Sequence, residues 1–400
     1  MKSILYYSSL ALLLLFCSQC SNTAKASEDS ERAKNPSLSL QTKTTADSSI
    51  LGEFDIQAAI NHKNLQIFLI KGSTTADNLV YTPLQKAMKK RWVEIIETSE
   101  VNELAITNNS DKTIFIHAGD IVKGGKQDRT LAYDMVIAPN VKHEKLSSFC
   151  VESDRWHQRG EEDVAGFTSN ENMLTSRNLK IASKESNSQT HVWLEVAEQQ
   201  TKLSANVSTH YSINVNVKDN ASASSLELTL ENKDLKKLKK LYKETFKELD
   251  MTTVIGFACA INGELYSIDV YNNQQLFLDL WDKLLGASII EAISDLDTEA
   301  DAPLYLSLQE LEQSLTIAAE AKQASKTLNL RTEWLSIEDS TKILFTSLDK
   351  GNESKWLHQN LIIRDANAVQ RPASQNLYNY NNINPQNILS EEVDNILIED

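Results

Sequence analysis

The chain has 400 residues, of which 41% are hydrophobic and 24% charged, and its formal net charge is −15. That is enough apolar material for one large or two ordinary globular domains. The acidic balance excludes an extended nucleic-acid surface, which needs a basic face, but leaves room for a small basic pocket.

The chain begins MKSILYYSSLALLLLFCSQCSN. Lys2 gives a positive start. Ile4 to Phe16 is an apolar run too short to span a bilayer and long enough for a signal-peptide core. Cys17 and Cys20 follow, then a serine-rich stretch, as in bacterial lipoprotein signals. Residues 1–20 are therefore read as such a signal, with Cys20 lipidated and the membrane as a partner through that anchor. Gln19 and Phe16, which precede the two cysteines, are larger than such signals prefer. The competing reading is cleavage after Ala24-Lys25-Ala26. Both readings export the chain to the cell envelope or periplasm.

Residues 21–49 are rich in Ser, Thr, Lys and Glu and lack an apolar period, which predicts a flexible linker. Order is expected from Ile50. FDIQAAI and LQIFLIKG flank Asn61-His62-Lys63-Asn64 as a hairpin. TPLQKAMKKRW predicts a short helix, with Thr82 as N-cap and Pro83 in its first turn. Its Lys86, Lys89, Lys90 and Arg91 read as a solvated face. WVEIIE, NELAIT, TIFIHA, AYDMVIAP and SSFCVESDRWH follow as short strand-like runs between turns.

Gln158 to Asn220 is polar and reads as a crossover or cover. It holds a helix around Val192 to Gln200 and a short strand in YSINVNV. Leu235, Leu238, Leu241, Tyr242, Phe246 and Leu249 recur at helical spacing, so Asn232 to Leu249 is predicted as an amphipathic helix. VIGFACAI and ELYSIDVY joined by Asn262-Gly263 are the strongest hairpin signal, because Asn-Gly adopts both left-handed positions of a type I′ turn. NQQLFLDLWDKLLGASIIEAI and SLQELEQSLTIAAEAKQA predict two more helices. LRTEWLSI, TKILFTSL and WLHQNLIIR predict strands. Residues 365–400, Asn-rich and then acidic, read as a disordered tail. The resulting class is α+β: an antiparallel β-rich N-terminal half and a helix–hairpin–helix C-terminal half, packed as one globular unit over residues 50–364. Cys150 and Cys259, the cysteines beyond Cys20, lie in apolar strands. They fit either a disulfide or two buried thiols.

Polar residues concentrate in VKGGKQDR and CVESDRWHQR, separated by one strand. Sequential strands often neighbour one another, so the two can meet at one sheet end. Together they offer Gly124, Gly125, Lys126, Gln127, Asp128, Arg129, Glu152, Arg155 and Trp156 as a candidate site for a small anionic ligand. Arginines grip phosphate or carboxylate in two-pronged fashion. A glycine pair lets backbone approach an anion. Trp156 can stack on a base or sugar, and Asp128 and Glu152 can hold hydroxyls or move protons. Each residue also has a plain structural role open to it: a turn, an ion pair, a core aromatic. The sequence has no Walker loop, dinucleotide fingerprint, HExxH or GxSxG motif. The seven histidines are scattered with no close ligand pair, so spacing predicts no structural zinc site; a catalytic metal held by Asp and Glu stays open, and the cofactor is unknown.

GDIVKGGKQDR followed by CVESDRW resembles the paired motifs of the ARG- and rhodanese-phosphatase-superfamily-associated domain family. HVWLEV, IGFACAINGELYSIDVY and LFLDLWDKLL resemble its later blocks, so the likeness covers most of Ile50 to Arg364. The family has no settled activity. Its associations imply a link to NAD or ADP-ribose derivatives, which an exported chain would meet less readily than a cytosolic one. The resemblance maps onto Gly124, Gly125, Gln127, Asp128, Arg129, Cys150, Glu152, Arg155 and Trp156. Two readings follow: a polar site for an anionic nucleotide- or sugar-type ligand, bound or hydrolysed, or an envelope scaffold in which the same motifs are structural. Convergence on an open cleft favours the first, and complete internal pairing favours the second.

Overall fold

The computed structural model describes residues 54–365, apart from 77, 99, 154, 156, 158, 163–165, 187, 298–301, 319 and 354, and apart from the side chains of 169–173 and 185–186. The signal with Cys20, the linker and the tail beyond Asp365 lie outside these residues, as does Trp156.

The chain is α+β, with antiparallel sheets in its β-rich N-terminal half. A nine-stranded sheet runs Asp55–Ile56, Leu65–Lys71, Val254–Ile261, Glu264–Tyr271, Lys355–Ile363, Lys342–Asp349, Thr332–Glu338 and Lys322–Thr327, with Ile60–His62 also paired to Leu65–Lys71. Strands from both ends of the sequence thus share one sheet. A six-stranded sheet runs Phe167–Leu174, Asp120–Gly124, Arg129–Leu131, Glu144–Cys150, Glu103–Asn108 and Val93–Glu97. Met135–Ile137, Thr113–Ile116 and Tyr81–Pro83 form a third, whose last pair is parallel.

The strongest turn signal has a simple physical basis. Asn262 and Gly263 both take positive φ, 53° and 78°, and close the hairpin of Val254–Ile261 with Glu264–Tyr271. Every residue of Val254–Ile261 is buried, because Leu65–Lys71 and Glu264–Tyr271 pair along its two edges and the helix Gln274–Ser294 packs against it. The helix Gln274–Ser294 starts where the Asn273 side chain accepts from the Leu276 amide at 2.8 Å. Its Phe277 is fully buried, a burial that stabilises by about 1.5–3 kcal/mol. Cys150 and Cys259 are both free and buried.

Several predicted elements differ. The first short helix is Leu84–Lys89, and Pro83 stands at its N-cap without a side-chain cap, while Thr82 belongs to a strand. The helix predicted around Val192 to Gln200 runs from Gln189 to Tyr211. YSINVNV is not a strand, but its Val215 and Val217 are buried in the core. SLQELEQSLTIAAEAKQA yields only the helix Leu308–Gln313, closed by a Ser307–Glu310 capping box, and its last residues open the exposed edge strand Lys322–Thr327. The C-terminal half is therefore richer in strands than a helix–hairpin–helix unit. Among the described residues, no helix is long and apolar enough to cross a membrane.

Candidate functional site

Folding does bring the two motifs together. Gly124 ends the strand Asp120–Gly124, and Arg129 opens the strand that pairs back onto it. Gly124 and Gly125 have φ of 127° and 56°, so the tight reversal needs their freedom. Its amides, however, are already held by protein groups. Gly124 donates to Asp128 Oδ1 at 3.1 Å, Gly125 to the Gly166 carbonyl at 3.0 Å, and Lys126 to Glu97 Oε1 at 3.0 Å. The Gly124 and Gly125 carbonyls in turn accept from Arg155 at 3.3 and 3.0 Å.

Behind this turn lies a buried cluster of charges. Gln127, Asp128 and Glu152 are fully buried, and Arg129 and Arg155 nearly so, whereas Lys126 is exposed. Arg155 Nε donates to Glu152 Oε2 at 2.9 Å. Arg159, which motif reading overlooked, donates to Asp128, Glu152, Glu162 and the Ser225 hydroxyl. Ser225 also donates to Asp128 at 2.9 Å and accepts from the Leu228 amide at the start of the helix Leu226–Leu230. The cluster therefore bolts the loop after Cys150 to that helix. Burial, with the Glu152 charge beside it, holds the Asp128 carboxyl above its usual range against the pull of Arg159. Burial would raise Glu152 too, but Arg155, the Ser222 hydroxyl and the Asp128 amide together outweigh it and leave that carboxyl low. Arg129 pairs with Glu97 and donates to the Val101 carbonyl and to Cys150 Sγ. Burial pushes the Cys150 thiol up to about 12, which disfavours the thiolate.

A second polar centre lies elsewhere, and no spacing pattern announced it. His117 ends the run after Thr113–Ile116, and His358 sits mid-strand in Lys355–Ile363; their rings are 4.9 Å apart. Both are buried. His358 Nδ1 donates to Asp134 Oδ2 at 2.8 Å and Nε2 to Asp269 Oδ1 at 3.1 Å. Burial alone would lower His358, but the two aspartates outweigh it and raise it. The ring lies between two carboxylates and stacks on Tyr271 at 4.2 Å. His117 is its opposite. Nδ1–H donates to the Ala118 carbonyl at 2.7 Å, and Nε2 accepts from the Tyr271 hydroxyl at 2.9 Å. Burial lowers His117 to about 3, which keeps it neutral.

The turn His117–Asp120 carries this centre. Asp120 accepts from the His117 amide at 3.1 Å and pairs with buried Lys283. Gly119 has φ of 90°, and a Cβ there would stand 2.7 Å from Thr175 Oγ1 and 3.0 Å from Lys180 Cε. The glycine lets those two residues close over the turn. They line a cavity of about 20 Å³ between the helix Gln274–Ser294 and the large sheet, with Arg177, Asp269, Glu291 and Asn360. That is room for one or two waters. Thr175 Oγ1 is buried with no hydrogen-bond partner. Lys180 is 9% exposed and has no ion pair among the described residues, although Asp269 and Glu291 both feel its charge. Arg177 and Glu291 separate this cavity from a second one beside Glu195 and Lys202.

No curated protein and no solved structure matches the chain. The family model of the ARG and Rhodanese-Phosphatase-superfamily-associated Protein domain matches residues 53–362. That match spans both motifs, the His117 turn and the strands bearing Asp269 and His358, and with more than half the sequence inside it the chain belongs to this family.

Proposed function

We propose that the domain binds a small anionic ligand in the cavity under the helix Gln274–Ser294, and that the Gly-Gly-Lys-Gln-Asp-Arg and Cys-Val-Glu-x-x-Arg motifs hold the scaffold that shapes it. The reading rests on one observation: Thr175 Oγ1 is buried without a hydrogen-bond partner in a cavity that Lys180 also lines. Buried polar groups without partners are costly, and functional sites are where that cost is kept. Lys180 and Arg177 supply the positive charge, and Asn360 and Ser267 supply hydrogen bonds for orientation. The cavity admits only the anionic end of a ligand, and the family description, with its rhodanese-phosphatase association, favours a phosphoryl group there, such as the end of a sugar phosphate or of an ADP-ribose derivative. On the sequence of residues 1–20, the domain is exported and tethered to the envelope through Cys20.

The test is thermal unfolding of the protein with inorganic phosphate, a sugar phosphate or ADP-ribose at millimolar concentration. At least one probe should raise the unfolding midpoint, and Lys180→Met should abolish the rise while unfolding normally without ligand. The reading is lost if no probe shifts wild type, or if Lys180→Met responds as wild type does. A second reading, an envelope scaffold without a ligand, is favoured by the internal pairing of Arg155 and Arg159. Failure of every probe would support it.

A further inference from the structure

We propose that His117, Asp269 and His358 form a binding site for a divalent transition-metal ion. Two imidazole nitrogens and one carboxylate oxygen from these residues lie within 4.8 Å of one another, all buried. Coordination at about 2.0–2.2 Å per ligand needs them to draw in by roughly 1 Å, a movement that side-chain rotation supplies.

The surroundings are those of a metal site rather than of an ordinary ion pair. Metal-bound histidines usually donate their other ring N–H to a carboxylate or a backbone carbonyl, which fixes the tautomer and aims the free nitrogen. Both arrangements are present. His117 Nδ1 is committed to the Ala118 carbonyl, which leaves Nε2 to coordinate. His358 Nδ1 is committed to Asp134. Asp134 is itself fixed by the Ala118 amide at 2.7 Å and the Ser347 hydroxyl at 2.7 Å. Asp269 is held by Asn360 Nδ2 at 3.1 Å. Strand register explains the convergence. Tyr271 lies opposite His358 and Asp269 opposite Asn360, so alternation puts all four on one face of the sheet. The turn at His117 brings the third ligand down onto that face.

Asp134 Oδ2 and Asp269 Oδ1 flank the His358 ring at 2.8 and 3.1 Å, and both carboxylates would attract a dication beside it. Binding requires His358 Nε2 to release its proton to solvent, as any ligating imidazole must. Two imidazoles and a carboxylate suit Zn²⁺, Fe²⁺ or Co²⁺ better than Ca²⁺ or Mg²⁺, which prefer oxygen. The lone pair of His117 Nε2 is occupied by the Tyr271 hydroxyl, which the metal must displace. Asp269 also lines the cavity, so a metal there would face whatever group enters it. The site shares that one residue with the proposed anion cavity and does not depend on the anion reading.

Co²⁺ is the probe, because its visible absorption reports coordination directly. Wild type should take up one Co²⁺ and lose it to Zn²⁺. Tyr271→Phe should bind Co²⁺ more tightly, since it frees His117 Nε2. Asp134→Asn, which leaves all three ligands in place, should weaken binding by about 10–100-fold, and His117→Gln should abolish the spectrum. Far-ultraviolet circular dichroism checks that each variant is folded. Lys180→Met should keep the Co²⁺ spectrum, which separates this proposal from the anion site tested in metal-free buffer. Absence of a Co²⁺ spectrum in both wild type and Tyr271→Phe overturns the proposal. So does a spectrum unchanged in folded His117→Gln.

Discussion

Arg159 grips Asp128 with both terminal nitrogens, Nη1 to Oδ2 and Nη2 to Oδ1, each at 3.0 Å. Asp128 is fully buried and Arg159 nearly so, so water cannot replace either partner. Removing one charge from a buried pair strands the other, at a cost of about 3–5 kcal/mol. Arg159→Met should lower the urea-unfolding free energy by that amount. A loss below about 1 kcal/mol, the range of exposed pairs, would show that the cluster does not hold the loop after Cys150 in place.

The glycine at 125 offers a sharper contrast. A Cβ there would lie 2.4 Å from Phe167 Cζ and 2.7 Å from Glu97 Oε1, and φ is +56°. Gly160 has almost the same φ, +59°, with nothing within 4 Å of a Cβ. Gly160→Ala should therefore cost only the left-handed strain, about 1–2 kcal/mol. Gly125→Ala should cost clearly more, because Phe167 and the bonded carboxylate must also move. Equal losses in chemical denaturation would contradict the close packing of the turn.

Stability should fall with pH through Glu227. Burial and the neighbouring Glu231 push its carboxyl from 4.5 up to about 8, against the opposing pull of Lys123. The native state therefore holds a proton that the unfolded chain releases near 4.5. That contribution is complete below 4.5 and is lost as pH rises to about 8. Glu227→Gln should flatten the decline in urea midpoint between those two values. A variant whose midpoint still falls as steeply would assign the decline to other groups.

The anchor is tested at Cys20. Cys20→Ala should abolish incorporation of labelled fatty acid and release the protein from membranes. If the variant is still labelled, Cys17 is the anchor. If wild type is never labelled, cleavage after Ala26 becomes the better account.

Local geometry was legible in the sequence, and long-range convergence was not. Asn262-Gly263 announced its hairpin because the turn depends on two adjacent residues and their φ values alone. The SLQELEQ segment has helical apolar spacing, but only Leu311 of the helix Leu308–Gln313 is buried, so packing sustains a single short element. The two motifs do meet, although three short strands, Arg129–Leu131, Met135–Ile137 and Glu144–Cys150, lie between the glycine turn and Glu152 where the sequence suggested one. Their internal pairing depends on Arg159 and Ser225, and Ser225 lies far along the chain in an unremarkable polar stretch. His117 and His358 are 4.9 Å apart in space and at opposite ends of the domain in sequence. One local clue existed. His358, Gln359 and Asn360 are three consecutive polar residues inside an apolar run, and all are buried. Such a break in a core strand marks a polar centre even when its partners are unknown.

The pairing of Leu65–Lys71 with Val254–Ile261 joins residues about two hundred positions apart, and the sheet beyond them is continued by Lys355–Ile363. A chain emerging from the ribosome cannot assemble this sheet until nearly all of the domain has been made. Contacts so distant in sequence make folding slow, because the entropy of closing a long loop is lost before any pairing compensates for it. Until then Leu65–Lys71, paired on one side with Asp55–Ile56 and Ile60–His62, waits as an apolar strand with its other edge open, the kind of segment that aggregates or recruits a chaperone.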